Sequence, residues 1–288
     1  MSYGICPLSV VPVRRSANGR SELVSQLLFG ELLEVLERKG QRWVLARCVW
    51  DNCIGWVRTR QIMEITPSEF ERYSCRHAFV LDLMQPVLAE DHMLPVLLGA
   101  QLPDFDGMRL ELGEKRYHFS GQAVFSDDIP DLHAFVQRIV RRYLYAPAQW
   151  GGRSPFGIDS AGLVQVVYKM AGFRLPREAD EQVHCGTGVD FLEQSRAGDL
   201  AFFEAPNGKI NHVGILLEDG RIIHAYGQVR IDPIDHFGIY QDALRDYTHR
   251  LRVVRRLLEH EPPAIQAPDA GLSEELQQNQ AELFKSPE

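Results

Sequence analysis

Residues 150–165 read Trp-Gly-Gly-Arg-Ser-Pro-Phe-Gly-Ile-Asp-Ser-Ala-Gly-Leu-Val-Gln, and this stretch decides how the rest of the chain is read. Asp159 is a helix-capping residue type. From Ser160 to Ala171 the apolar residues Leu163, Val164, Val167, Tyr168 and Ala171 recur at helical spacing until Gly172 stops the run. Ser160 therefore falls in the first turn of a helix, where free N–H groups and aligned peptide dipoles favour negative charge.

Strand-like runs follow downstream. Gly198-Asp199-Leu200-Ala201-Phe202-Phe203 comes first, then Asn211-His212-Val213-Gly214-Ile215, then Ile222-Ile223-His224-Ala225. The last two flank Glu218-Asp219-Gly220, a hairpin signal that brings His212 and His224 onto neighbouring strands. Upstream, Asp127-Asp128-Ile129-Pro130 reads as a helix start, and Leu132, Phe135, Val136, Ile139, Val140 and Tyr143 give one apolar face that ends before Pro147.

In this order the motifs resemble the NlpC family of cell-wall peptidases, whose nucleophile motif runs Trp-Gly-Gly, a variable stretch, then Asp-Cys-Ser-Gly. The resemblance implies a papain-like α+β domain over residues 128–257. It also implies hydrolysis of the γ-D-glutamyl–diamino acid bond of peptidoglycan stem peptides, with no cofactor and no metal. Carried over by position, Ser160 stands at the nucleophile, His212 is the base and His224 the third catalytic member. Asp159 meets the free amine of an incoming peptide, Trp150 forms an aromatic wall, and Ala161 occupies a substrate-contacting serine position. Arg153 and Arg177 are candidates for pairing with peptide carboxylates.

The chain departs from the family at the reaction centre. Ser160 replaces the cysteine, Ala161 the following serine, and Ala148 a tyrosine whose hydroxyl lies near the reacting carbonyl; the nearest tyrosine upstream is Tyr145. A serine hydroxyl is a far weaker acid than a thiol, so little of it is anionic at neutral pH. The leading expectation is a catalytically impaired member that binds murein peptide or a protein partner. The alternatives are an active hydrolase using Ser160, an engineered Cys-to-Ser form of an active cysteine peptidase, and a structural SH3-type interaction module.

Residues 1–66 carry short apolar runs between turns: Val10-Val11-Pro12-Val13, the Asn18-Gly19 turn, Leu27 to Gly30, Leu32 to Leu36, the Lys39-Gly40 turn, and Ile54-Gly55-Trp56-Val57. Trp43, Leu45, Arg47 and Val49 alternate with a period of two, which predicts a half-buried strand. This part resembles a bacterial SH3 domain. In relatives that domain walls off one end of the groove and restricts it to short peptides with a free N-terminus. Cys53 stands near the Gly-Trp-Val element where tyrosine is frequent. Residues 67–127 fit a second, diverged SH3-like barrel. The expected fold is thus multi-domain: SH3-like β-barrels followed by a papain-like α+β domain, with Gln- and Glu-rich residues 258–288 as a flexible tail.

Composition is that of a globular chain, 45% hydrophobic and 24% charged over 288 residues. A formal net charge of −8 argues against nucleic acid as a partner, and the lack of a long apolar run argues against membrane insertion. Five cysteines without CxxC spacing suggest free thiols. With no basic and apolar leader at the N-terminus, a cytoplasmic location is expected. The expected partner is a peptidoglycan-derived peptide with a free N-terminus; oligomeric state is left open by the sequence.

Overall fold

The computed structural model describes residues 2–259. From residue 260 onward the expected tail lies outside the described residues.

Residues 2–65 form one seven-stranded antiparallel sheet. Strand Leu32–Lys39 pairs with Trp43–Cys48, and that strand with Ile54–Arg58. Gly30 and Gly40, at φ +78° and +58°, make the turns that keep Leu32–Lys39 a strand rather than a helical turn. Val11, Val13, Leu27, Leu33, Val44, Ala46 and Val57 fill the core. The face that sequence alternation picked out is the other one: Val44, Ala46 and Cys48 point inward. Trp43 instead lies under the Arg58 guanidinium, 4.1 Å from ring centroid to Cζ, and Arg47 pairs with Glu34. Both faces of this strand are apolar enough that alternation alone does not say which one is buried.

Helix α1 (Pro67–Ser74) follows, with a complete capping box between Thr66 and Glu69 and Pro67 in its first turn. Its Thr-Pro-Ser-Glu signature was legible but unread. Seven further strands across residues 78–125 form a four-stranded and a three-stranded sheet in the segment expected to be a second SH3-like barrel.

Helix α2 (Leu132–Arg141) opens the third part. Its cap is Asp131, which accepts a hydrogen bond from the Ala134 N–H at 2.9 Å. Residues Ser126–Asp128, where the sequence placed the start, make only a 3₁₀ turn. Pro130 keeps the backbone before it out of the helical region, so helix formation is deferred past it. Helix α3 (Ser160–Met170) is buried on every side. It packs on Phe202, Val213, Ile215 and Ile223, which form one face of a six-stranded antiparallel path completed by Thr187–Val189 at one edge and Gln228–Pro233 at the other. A second core, including Ala201, Phe203, Leu216 and Ile222, fills the opposite face. No helix among the described residues is long and apolar enough to cross a membrane, and all five cysteines are free.

A buried ionic cluster joins the first sheet to α3. The Glu31 carboxylate accepts two hydrogen bonds from Arg153, at 2.8 and 2.9 Å, and another from Lys169 on α3. Arg153 Nε donates to Gln165 at 3.0 Å, and Gln165 donates onward to Asp51 at 3.1 Å. Burial opposes ionisation of Glu31, yet the charges of Arg153 and Lys169 hold it down to about 2. Burial pulls Lys169 down to about 8, so its charge at neutral pH depends on this carboxylate. Replacing Glu31 with Gln strands two buried cations. Glu31→Gln should cost roughly 3–5 kcal/mol of unfolding free energy, read from the denaturant midpoint; a shift within the error of the wild-type midpoint would refute the role given to this cluster.

His77 sits at the seam between the first sheet and the next segment, edge-on to Trp50 at 5.1 Å and hydrogen-bonded to Gln101 at 2.7 Å. Burial, then the charges of Arg174 and Lys169, push it down to about 4. The folded protein keeps this ring neutral, while the unfolded chain takes up a proton below about pH 6.5. Its contribution is therefore complete above that pH and is lost as pH falls towards 4. Chemical denaturation from pH 7 to pH 4 should show stability declining across that window, with a shallower decline in His77→Asn; an unchanged slope in the variant would assign the loss to other groups.

Candidate active site

Helix α3 fixes the start of the site. Asp159 is its cap and uses both carboxylate oxygens: Oδ1 accepts from the Gly162 N–H at 2.7 Å, Oδ2 from the Gly151 N–H at 2.7 Å. Arg177 closes on the same carboxylate with bonds of 3.0 and 2.6 Å. Only Gly fits at 151, whose φ is +73° and where a Cβ would lie 2.3 Å from the Leu23 carbonyl oxygen of the first sheet. Ser160 follows, largely buried at the first helical position, where the helix supplies its N–H with no internal acceptor.

His212 and His224 come together across strands Ile210–Leu216 and Arg221–Tyr226, with His212 Nε2 and His224 Nδ1 2.8 Å apart. His224 Nε2 lies 3.0 Å from Asp232 Oδ2, and Asp232 also accepts from Arg230 at 2.7 Å. Although burial opposes it, hydrogen bonds from His224 and Arg230 hold Asp232 below the usual carboxylate range, so it is ionised and can only accept. His224 must then carry its proton on Nε2 and accept at Nδ1. The bond from His212 is therefore donated by Nε2–H, which leaves His212 Nδ1 with the free lone pair. Burial, then the neighbouring His249 and His224, push His212 well below an ordinary histidine, so it is neutral at pH 7.

Ser160 Oγ makes no hydrogen bond to either imidazole. A third ring, His249, stacks on His212 with centroids 4.0 Å apart. Sequence reading missed both Asp232 and His249. Asp232 lies directly across the pairing of Ile222 on the next strand, but one acidic residue in a strand carries no signal by itself. His249 lies on strand Asp246–Arg256, two places along the sheet from His212.

Of the remaining residues singled out from sequence, Trp150, Arg153 and Arg177 reach the first sheet, and Ala161, Ala148 and Tyr145 bond within the papain-like part. Trp150 is two-thirds exposed and donates from its indole N–H to Glu22 at 2.9 Å. Ala161 is buried, its carbonyl accepting from Gln182 at 3.1 Å. Ala148 has its N–H bonded to the Gly227 carbonyl, and Tyr145 projects into solvent. Arg153 and Arg177 are not available for a peptide carboxylate: both are buried and committed to Glu31 and Asp159. Buried guanidinium groups need such partners, which a linear pattern does not reveal. A cavity of about 270 Å³ opens here, with Glu22, Asp51 and Cys53 on one side and Trp150, Arg177 and Glu178 on the other.

Two family models match the chain: the NlpC/P60 family over residues 146–248, and the bacterial dipeptidyl-peptidase Sh3 domain over residues 13–62. A γ-D-glutamyl-L-lysine dipeptidyl-peptidase of Bacillus cereus is 35% identical over 250 residues, covering 77% of this chain and 74% of that protein. The chain belongs to the NlpC/P60 family. A Bacillus subtilis protein of the same name is 40% identical over 85 residues, 29% of this chain and 28% of that protein. The crystal structure of a Bacillus cereus NlpC/P60 family protein superposes with a TM-score of 0.75 at 20% identity, over 88% of this chain and 99% of that one. Its fold, a strand-rich SH3-like region followed by a papain-like domain, is therefore also the fold of this chain.

The Asp232–His224–His212 chain is testable apart from peptide turnover. In a Ser160→Cys background, Asp232→Asn should slow alkylation of the introduced thiol by iodoacetamide near pH 7 roughly tenfold, because the tautomer that leaves His212 Nδ1 basic is no longer enforced. Equal rates with and without Asp232→Asn would mean that Asp232 does not act through the imidazoles.

Proposed function

We propose that this chain binds murein peptides with a free N-terminus and is impaired in cleaving them. The observation that carries this reading is Ser160 at the first position of α3, in the place of the family's cysteine and without a hydrogen bond to His212. The helix terminus suits a pre-ionised thiolate. A hydroxyl cannot exploit it in that way and needs a base aligned on its proton.

The binding half of the reading rests on what surrounds the seam cavity. Trp150 offers an aromatic face, and Glu22, Asp51 and Glu178 give the walls carboxylates suited to an amine. Burial raises both Asp51 and Glu178, and a bound ammonium group would offset that cost. Because Arg177 already neutralises Asp159, the amine is assigned to this wider acidic wall as well as to Asp159 itself.

One observation favours activity as the second reading. The Asp232–His224–His212 chain leaves a neutral His212 with its Nδ1 lone pair available, which is the state a general base requires.

Calorimetry and turnover with L-Ala-γ-D-Glu-L-Lys separate these readings. Binding is expected, weakened at least tenfold by Trp150→Ala, with product formation no faster than in His212→Ala. Ser160→Cys should increase turnover, and further when combined with Ala161→Ser and Ala148→Tyr. Absence of binding removes the proposal. Turnover by the unmodified chain well above His212→Ala replaces it with the serine-hydrolase reading.

A further inference from the structure

Three imidazoles meet where the family's chemistry calls for two. His212, His224 and His249 each bring one ring nitrogen to within 4.8 Å of the other two. His249 stacks on His212 and stands edge-on to His224, with centroids 5.6 Å apart. We infer that His212, His224 and His249 form a binding site for a divalent transition-metal ion of the zinc type. This inference stands whether or not the seam cavity holds a murein peptide.

The donor set fits such an ion. Neutral imidazole nitrogen is a preferred ligand of Zn²⁺, and three protein ligands leave one tetrahedral position for water or a ligand oxygen. A neutral imidazole offers its lone pair without losing a proton, and each of the three rings has a nitrogen within 4.8 Å of the other two.

Hydrogen bonds behind two of the rings fix which nitrogen each leaves free. Asp232 holds the proton of His224 on Nε2, which leaves Nδ1 facing His212; a carboxylate behind a ligating imidazole is the usual outer support of a zinc site. His249 Nδ1 lies 2.8 Å from Thr248 Oγ1. The Thr248 hydroxyl itself donates to the Ile239 carbonyl, so its oxygen accepts from His249 Nδ1–H and Nε2 stays free. Moving the His212 proton from Nε2 to Nδ1 then turns its contact with His224 into two facing lone pairs. Their present separation is 2.8 Å, whereas two nitrogens on a tetrahedral zinc stand about 3.3 Å apart, so ion binding requires these two rings to separate and the stacked His249 ring to turn its free nitrogen towards them.

Of the three rings, His249 is the one that borders open space. His249 is partly exposed and lines a cavity of about 830 Å³ together with Phe237, Thr248 and Leu251. An ion seated there takes up the imidazole pair that the Ser160 chemistry would use, so metal binding and general-base function of His212 are mutually exclusive.

The test uses the full chain stripped with EDTA and titrated with Zn²⁺ by calorimetry, with Co²⁺ as an optical probe of geometry. One ion per chain with micromolar or tighter affinity is expected, and Co²⁺ should give the visible absorption of a tetrahedral nitrogen site. His249→Phe keeps an aromatic ring against His212 but removes the nitrogen. It should weaken Zn²⁺ binding at least tenfold while leaving the circular dichroism spectrum unchanged, and His224→Ala should do the same or more. If no ion binds, or if binding is as tight in both His249→Phe and His224→Ala as in the unmodified chain, the site is not there.

Discussion

The Glu31 carboxylate is the point on which the positions of the other functional groups depend. It comes from the turn before a strand of the first sheet, and its partners Arg153 and Lys169 come from the stretch that leads into α3 and from α3 itself. A group with two cations on it and 3% exposure tolerates little displacement. Because α3 carries Ser160 at one end and Lys169 near the other, fixing Lys169 also fixes where the helix N-terminus stands relative to the first sheet. Ion pairs of this kind contribute little net stability over an apolar replacement, but they are strongly directional, and removal of one member is costly. The cluster is thus better understood as setting the register between two parts than as the source of their affinity, which comes from the apolar surface around Trp50, Phe79 and Leu98.

That register determines what the site can recognise. The cavity exists only because Glu22, Asp51 and Cys53 are held opposite Trp150 and Arg177. Asp159 shows the same economy on a smaller scale: one carboxylate caps α3, holds the Gly151 turn and neutralises Arg177. Each oxygen already accepts two hydrogen bonds, so Asp159 has little capacity left for a peptide amine. In the peptide binding proposed above, the neighbouring carboxylates would therefore carry more of the amine's charge than Asp159 does.

Much of this was legible in the sequence where local rules agree. The Asp159 cap, the apolar spacing after Ser160 and the stop at Gly172 all describe α3, and the hairpin at Glu218-Asp219-Gly220 sets His212 beside His224. What stayed hidden depends on partners remote in sequence. Arg153 and Arg177 look like surface arginines until Glu31 and Asp159 are found against them, 122 and 18 residues away. The strand Trp43–Cys48 was legible but its inward face was not, because both faces are covered and polarity does not alternate with burial. Asp232 and His249 fell outside any motif, since each reaches the imidazoles through sheet pairing and not through spacing.

The presence of Ser160 in place of the family's cysteine is compatible with an intact site for a physical reason. No hydrogen bond of the Asp232–His224–His212 chain, and none of those that seat Asp159, involves the side chain at position 160. A cysteine-to-serine difference there exchanges one small buried group for another and disturbs neither core. Fold and chemistry are therefore separable at this position: the imidazoles keep their alignment whichever small side chain stands at 160. A third histidine stacked on the pair, with its outer nitrogen tied back by Thr248, is what a second use of them would require, because two imidazoles alone make a base and its orienter, whereas three make a ligand set.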